Sequence, residues 1–338
     1  MTTTTRKRVG WLLALGVIPL FVSRVTFAAD ERSCNMRDAA LPNDQITYVL
    51  CEQGLLLVTK DDGATWAQRK IPIKDSILRA VSFHDVNHGL VVGDDGSIFA
   101  TENAGVTWTA RKSGTTENLT DIQMLGDEGW IAGYDGVILH TADGGKTWAK
   151  QDSGSAALSL EALYFHDTQN GWAVGWAGSI LHTVDGGKKW QTLKVNGASW
   201  SLSCITFTDA QNGWIVGFAG QLLATKDGGA TWEARKPPAP TWLSSIGFDS
   251  KKRAWITTDI GFLLSEDGGQ TWSVQPTDGQ LFINKIVRNT GTAWALGPFG
   301  MLKQTGAGLE WKKILNPLSS AAAAEDTGIF TAPTTTAK

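Results

Sequence analysis

One eight-residue motif recurs along this chain: Thr or Ser, any residue, Asp, any residue, Gly, any residue, Thr, Trp. It runs Thr59–Trp66 (TKDDGATW), Thr101–Trp108 (TENAGVTW), Thr141–Trp148 (TADGGKTW), Thr183–Trp190 (TVDGGKKW), Thr225–Trp232 (TKDGGATW) and Ser265–Trp272 (SEDGGQTW), and a degenerate seventh copy ends at Trp311 (QTGAGLEW). The motif tryptophans are 39 to 42 residues apart, a period that belongs to solenoids, propellers and arrays. Each interval carries four short β-like runs, as in Leu160–Asp167, Gly171–Gly175, Gly178–Thr183 and the segment ending at Leu193, separated by Gly, Asp and Asn. Four antiparallel strands in about 40 residues make a propeller blade, and a single blade cannot bury both faces, so blades must stack. The sequence therefore predicts an all-β chain: a seven-bladed β-propeller of four-stranded antiparallel blades, each closed by an Asp-box hairpin.

The Asp box has a mechanical reading. Its carboxylate accepts hydrogen bonds from the backbone of a tight turn, its Gly takes the left-handed conformation, and its Trp packs between blades. Asp61, Asp143, Asp185, Asp227 and Asp267 are accordingly expected to lock turns, and Asn103 to do the same with a neutral acceptor. The 38 Gly and 16 Trp among 338 residues, against 4 Met and 3 Tyr, fit many tight turns and a repeated aromatic position.

Ahead of the repeats, Arg6, Lys7 and Arg8 precede an apolar stretch from Val9 to Val22, and Thr26-Phe27-Ala28-Ala29 offers small residues for cleavage. Residues 1–29 thus read as an export leader, 30–316 as the propeller and 317–338 as a tail. A periplasmic or secreted protein is expected, with no stable membrane insertion after leader cleavage, because no other stretch approaches the length of a membrane span. Asp30-Glu31-Arg32-Ser33 before Cys34 is no lipid-attachment context. Cys34 and Cys51 are candidates for a disulfide stapling the N-terminal segment to blade one, whereas Cys204, in an apolar strand pattern, reads as a small buried hydrophobe. Blade one lacks a convincing innermost strand. Either the segment Cys34–Leu41 or the C-terminal run Thr327–Ala332 would fill that gap and close the ring.

Phe165–Trp190 (FHDTQNGWAVGWAGSILHTVDGGKKW) and Phe207–Trp232 (FTDAQNGWIVGFAGQLLATKDGGATW) closely resemble repeats of the photosystem II stability and assembly factor-like family. Weaker versions cover Phe83–Trp108, Met124–Trp148 and Phe248–Trp272. The resemblance implies a seven-bladed propeller acting as a non-catalytic helper of a membrane complex, without by itself implying a photosynthetic host.

An Asp-box glycosidase of the sialidase type, or a carbohydrate-binding propeller, is the alternative. A sialidase needs an arginine triad, a Tyr nucleophile with a Glu partner and an acidic donor. The chain has only Tyr48, Tyr134 and Tyr164, and its arginines read as mostly outer-strand residues, so no catalytic residue is assigned. His84 and His166 are repeat equivalents, as are His140 and His182; only His84, Asp85 and His88 share a loop, which reads as a solvated turn, with a metal site as the minor alternative. No metal or cofactor is expected. A net charge of -3 gives no bulk attraction to nucleic acid or anionic lipid.

Setting aside the motif tryptophans, five second-strand tryptophans (Trp130, Trp172, Trp214, Trp255, Trp294) and Trp11 in the leader leaves Trp176, Trp200 and Trp242. Trp176 falls between the second and third strands of its blade, where other blades carry Tyr134, Phe218, Ile260 and Phe299 and blade two carries Asp94-Asp95. Trp200 and Trp242 fall where one blade passes to the next. Both connection types emerge on the face opposite the Asp boxes. An aromatic arc over blades three to seven is expected, either as a binding surface for a protein partner, exported or membrane-embedded, or as caps on individual blades. Tyr134, Trp176, Trp200, Phe218, Trp242 and Phe299 are the partner-binding candidates, and the ring is expected to act as a monomer. Basic residues after the motif tryptophans (Arg69-Lys70, Arg111-Lys112, Lys150, Lys194, Arg235-Lys236, Lys312-Lys313) read as protection of outer edge strands.

Overall fold

The computed structural model describes residues 34–314 except 75, 155–158, 250–251, 277–281, 289–290, 299 and 306–309. Seven separate four-stranded antiparallel sheets follow one another in chain order, each pairing its strands consecutively. They span Met36–Lys70, Leu78–Arg111, Leu119–Gln151, Leu160–Leu193, Leu202–Ala234, Leu243–Pro276 and Lys285–Ile314. This is the expected seven-bladed propeller. Among the described residues no helix is long and apolar enough to cross a membrane.

The Asp boxes lock their turns as the motif demands. Asp61 Oδ1 accepts from the Thr65 N–H and the Thr59 hydroxyl, both at 2.8 Å, and Oδ2 accepts from the Thr65 hydroxyl at 2.6 Å. The Thr59 hydroxyl in turn accepts from the Gly63 N–H at 2.7 Å, so the first motif residue is a second hub of the same lock. Asn103 repeats the pattern, Oδ1 accepting from Thr107 N–H at 2.9 Å and Nδ2 donating to the Thr107 hydroxyl at 2.8 Å. Hydrogen bonds from the Thr147 and Thr271 hydroxyls, then from their N–H groups, hold Asp143 and Asp267 down at about 2.

Blades interlock through a repeated aromatic contact. The second-strand ring of one blade packs on the inner-strand Phe of the next: Tyr48 stacks on Phe83 (3.8 Å between centroids) and Trp130 on Phe165 (3.7 Å), while Trp172 on Phe207 (4.5 Å) and Trp214 on Phe248 (4.4 Å) are tilted. At Trp172 and Trp214 the second Asp-box glycine of the following blade lies over the same ring. A Cβ on Gly229 would sit 2.5 Å from Trp172 Nε1, and one on Gly269 2.6 Å from Trp214 Nε1.

Ring closure settles the choice that sequence left open. Met36–Ala40 is the innermost strand of blade one, paired with Thr47–Cys51, and the Cys34–Cys51 disulfide fastens its start, with Cα atoms 5.2 Å apart. Residues 327–332 lie outside the described residues. Blade seven meets blade one by packing: Trp66 sits edge-on to Trp294 at 5.5 Å, and Met36, Leu296 and Met301 share that cluster. Polar contacts flank it, with Lys303 Nζ 2.7 Å from Asp62 Oδ2 and the Thr292 hydroxyl donating to Asp62 Oδ1 at 3.0 Å.

Candidate functional site at the channel mouth

In blades two to five the second and third strands join through two residues of positive φ: Asp95-Gly96, Asp135-Gly136, Ala177-Gly178 and Ala219-Gly220. This is the type I′ hairpin geometry, which matches the twist of the flanking strands. The residue after each glycine donates its N–H to the carbonyl of the residue before the pair, as Ser179 does to Trp176 (3.0 Å) and Gln221 to Phe218 (3.2 Å). The turn therefore uses only the backbone of Asp94, Tyr134, Trp176 and Phe218. Their side chains are free to differ from blade to blade.

Inner strands supply the other half of the site. In six blades the pairing of the inner strand slips by one residue near its start, leaving Arg37, Arg79, Thr120, Glu161, Ser203 and Ser244 as bulged residues. A β-bulge re-aims the side chain it carries, and all six line a cavity of about 350 Å³ at the channel mouth, together with Phe218, Trp242, Asn284 and Lys285. Three of them hold the aromatic candidates. Glu161 Oε1 accepts from Trp176 Nε1 at 2.6 Å, the Ser203 hydroxyl accepts from Trp242 Nε1 at 3.2 Å, and the Arg79 guanidinium lies 5.6 Å from the Tyr134 ring centroid.

The rings stand out from the surface while being held. Trp176, Trp200, Phe218 and Trp242 are 55, 53, 49 and 36 % exposed, Ile260 is also exposed, and Tyr134 is half-buried beneath Arg79. Trp200 and Phe218 form a pair at 5.9 Å, and Trp242 reaches Phe282 at 6.1 Å. Phe299 lies outside the described residues. Among the described residues the exposed arc thus comprises blades four to six instead of three to seven: in blade three Tyr134 is half-buried, and in blade two the equivalent position is Asp94, paired with Arg79.

Deeper in the channel lie Asp38, Asp121, Cys204, Ser245 and Lys285, a polar set that sequence reading missed. The inner strand is an edge whose N–H groups lack a strand partner, and side chains from the preceding blade supply one. Asp38 Oδ2 accepts from Val81 N–H at 3.0 Å, Asp121 Oδ2 from Leu163 N–H at 2.9 Å, and the Ser245 hydroxyl from Ile286 N–H at 3.2 Å. Burial pushes Asp121 up to about 6, against the pull of Lys285. Burial alone would lower Lys285, but Asp38, 3.2 Å away, and Asp121 hold its ammonium charged.

Two expectations need correction. Arg37, Arg79 and Arg288 stand on inner strands, so the arginines are not mostly outer-strand residues; Arg37 pairs through Nε with Glu52 at 2.5 Å and Arg79 through Nε with Asp94. Arg69 is buried and donates to the Ala104 carbonyl of the next blade, bracing two blades rather than shielding an edge. Cys204 is half-buried and packs against the apolar cluster of blades five and six, as its strand pattern suggests, while its Sγ also lies 4.0 Å from the Ser245 hydroxyl on the channel wall; burial raises its thiol.

Four-stranded blades locked by Asp boxes, with variable turns raised around one channel mouth, define an Asp-box propeller with exposed rings on one face. Family-level similarity is specific: the model described as photosynthesis system II assembly factor YCF48 matches residues 64–156, 150–234 and 193–282. The chain belongs to this family. No curated protein sequence matches it. Among solved structures it is similar to "YCF48 bound to D1 peptide", with TM-score 0.70 and 22 % identity over 82 % of this chain and 94 % of that one. YCF48 from Cyanidioschyzon merolae aligns with TM-score 0.61 and 22 % identity over 74 % and 88 %. The WD40 propeller domain of Doa1 aligns with TM-score 0.68 at only 10 % identity, over 81 % and 93 %, which reflects the shared propeller fold alone.

Proposed function

We propose that this chain is an exported, non-catalytic scaffold that acts as a monomer and uses the channel-mouth face of blades four to six to bind an exposed segment of a protein partner, itself exported or membrane-embedded. The observation that carries the reading is the set of exposed rings, Trp176, Trp200, Phe218 and Trp242, two of them fixed through their indole N–H by bulged inner-strand residues. Large rings held in place supply contact area at little entropic cost, which is how binding hot spots are built. Family membership supports a helper role, and one structural neighbour, a YCF48, was solved with a D1 peptide bound to it. Export is supported by the leader-like N-terminus and by a disulfide, which persists only in an oxidising compartment.

The test is affinity capture from an envelope extract with immobilised wild type and the triple variant Trp176→Ala/Trp200→Ala/Trp242→Ala. Each indole contributes to one exposed patch, so the variant is expected to keep its melting temperature and lose the specific partners. Recovery of the same partners by both proteins defeats the assignment of this face.

A further inference from the structure

We propose that His84, Asp85 and His88, in the turn between the first and second strands of blade two, form a binding site for one divalent d-block cation of the zinc, nickel or copper class. Their donor atoms lie within 4.8 Å of one another. Asp85 Oδ2 is 2.8 Å from His88 Nδ1 and 3.6 Å from His84 Nε2. A tetrahedral zinc ion with ligands at about 2.0–2.1 Å separates neighbouring donors by roughly 3.3 Å, so these two edges already bracket the required spacing. The third edge closes by rotation of the exposed His84 ring, which lies 5.3 Å from the His88 ring and nearly parallel to it.

Asp85 serves both the turn and the rings. Oδ1 accepts from the Asn87 and His88 N–H groups at 2.7 and 2.8 Å and so fixes the turn, and also lies 3.0 Å from His88 Nδ1, while Oδ2 faces both imidazoles. The backbone beneath is held independently: the Tyr48 hydroxyl of blade one donates to the Val86 carbonyl at 2.7 Å, and Ala104 N–H donates to the Asn87 carbonyl at 2.8 Å. The ligands are thus presented on a fixed loop, and both imidazoles are open to solvent, leaving the remaining coordination positions to water. Two imidazoles and one carboxylate suit borderline d-block ions better than calcium or magnesium, which prefer all-oxygen sets.

The repeat provides an internal comparison. Blades four and five fold the same turn with Asn in place of His88: Asn170 Nδ2 donates to both oxygens of Asp167 at 3.0 and 2.9 Å, and Asn212 does the same to Asp209. An amide N–H satisfies the turn but cannot ligate a metal. Imidazole at this position is therefore not required by the fold, and only in blade two is it joined by a second imidazole from the residue before the Asp. Blade four has His166 and Asp167 but lacks the third ligand.

The experiment is calorimetric titration of zinc into the untagged, chelator-stripped full chain. Wild type is expected to take up one equivalent. His88→Asn rebuilds the turn of blades four and five and should weaken binding at least about tenfold at unchanged melting temperature. His84→Ala touches no turn hydrogen bond and should do the same. Asn170→His completes the set in blade four and should raise the stoichiometry to two. No zinc uptake by wild type, equal affinity in wild type and both loss variants, or a single equivalent in Asn170→His would each overturn the proposal.

Discussion

Removing the Cys34–Cys51 bond tests how this ring is closed. Each terminal blade is complete in its own strands, so no strand is shared across the seam between blades seven and one. Closure rests on side-chain packing, on the Asp62 contacts and on a disulfide that pins the innermost strand of blade one. The bond closes a loop with a sequence separation of 17, for which the chain-entropy relation gives about 3 kcal/mol at 25 °C. For a ring of this size that corresponds to a fall in melting temperature of roughly 5 °C. The assay is denaturant and thermal unfolding of wild type, with and without reductant, beside the double variant Cys34→Ala/Cys51→Ala. Thiol titration in denaturant should find one free thiol, Cys204, before reduction and three after. The reduced wild type and the variant should coincide. Unfolding curves that superimpose with and without reductant would refute the claim that the staple holds the seam. Complete unfolding on reduction would refute the claim that packing around Trp66 and Trp294 carries most of it.

Replacing Gly229 by Ala adds a Cβ 2.5 Å from Trp172 Nε1 at a φ of +79°, and is expected to cost about 2–5 kcal/mol in chemical denaturation. Gly114→Ala, at a similar φ of +77° but in open space, should cost only about 1 kcal/mol; equal losses would show that the ring contact contributes nothing. Asp121, raised to about 6 in the fold from an ordinary 3.8, binds more protons folded than unfolded between those values, so its contribution to stability is lost as pH rises from about 4 through 6. Asp121→Asn should remove that part of the slope, at most about 3 kcal/mol between pH 4 and 7, and parallel pH–stability curves for the two proteins would exclude the effect.

The fold was legible because its lock is written into every repeat: a carboxylate or amide acceptor, a left-handed glycine and a wedge of Trp at a fixed offset produce the same hairpin wherever they occur. The exposed aromatic positions were legible by subtraction, since rings that the repeat does not need have no packing role to fill. The channel residues were not. Arg37, Asp38, Arg79, Asp121, Glu161 and Lys285 occur one or two to a strand and differ from blade to blade, and for all but Lys285 their placement depends on a one-residue bulge that leaves no mark in residue pattern. That bulge also hid the innermost strand of blade one, where Arg37 and Asp38 break the apolar alternation because they face the channel. Arg69 looks like its basic neighbours on other outer strands; it is buried because a carbonyl of the next blade happens to face it, which only the assembled ring shows.

The type I′ turns connect these observations. Asp95 and Asp135, in blades two and three, are residues that tolerate a left-handed backbone through local hydrogen bonding. Blades four and five place Ala177 and Ala219 there, both at φ 54°, at a cost of roughly 1 kcal/mol each relative to glycine. Those are the two turns that raise Trp176 and Phe218. Alanine has the smallest side chain that still restricts the unfolded backbone, and it crowds the neighbouring ring less than Asp would. Left-handed residues of this kind also stand at Ala104 (φ 60°), in the Asp box of blade two, and at Lys252 (φ 65°), so such strain is not confined to one face; at Ala177 and Ala219 it lies beneath exposed aromatics. Ala177→Gly and Ala219→Gly should therefore relieve strain while loosening the rings. If capture of the partner is unchanged when those rings loosen, their fixed orientation is not what the partner reads.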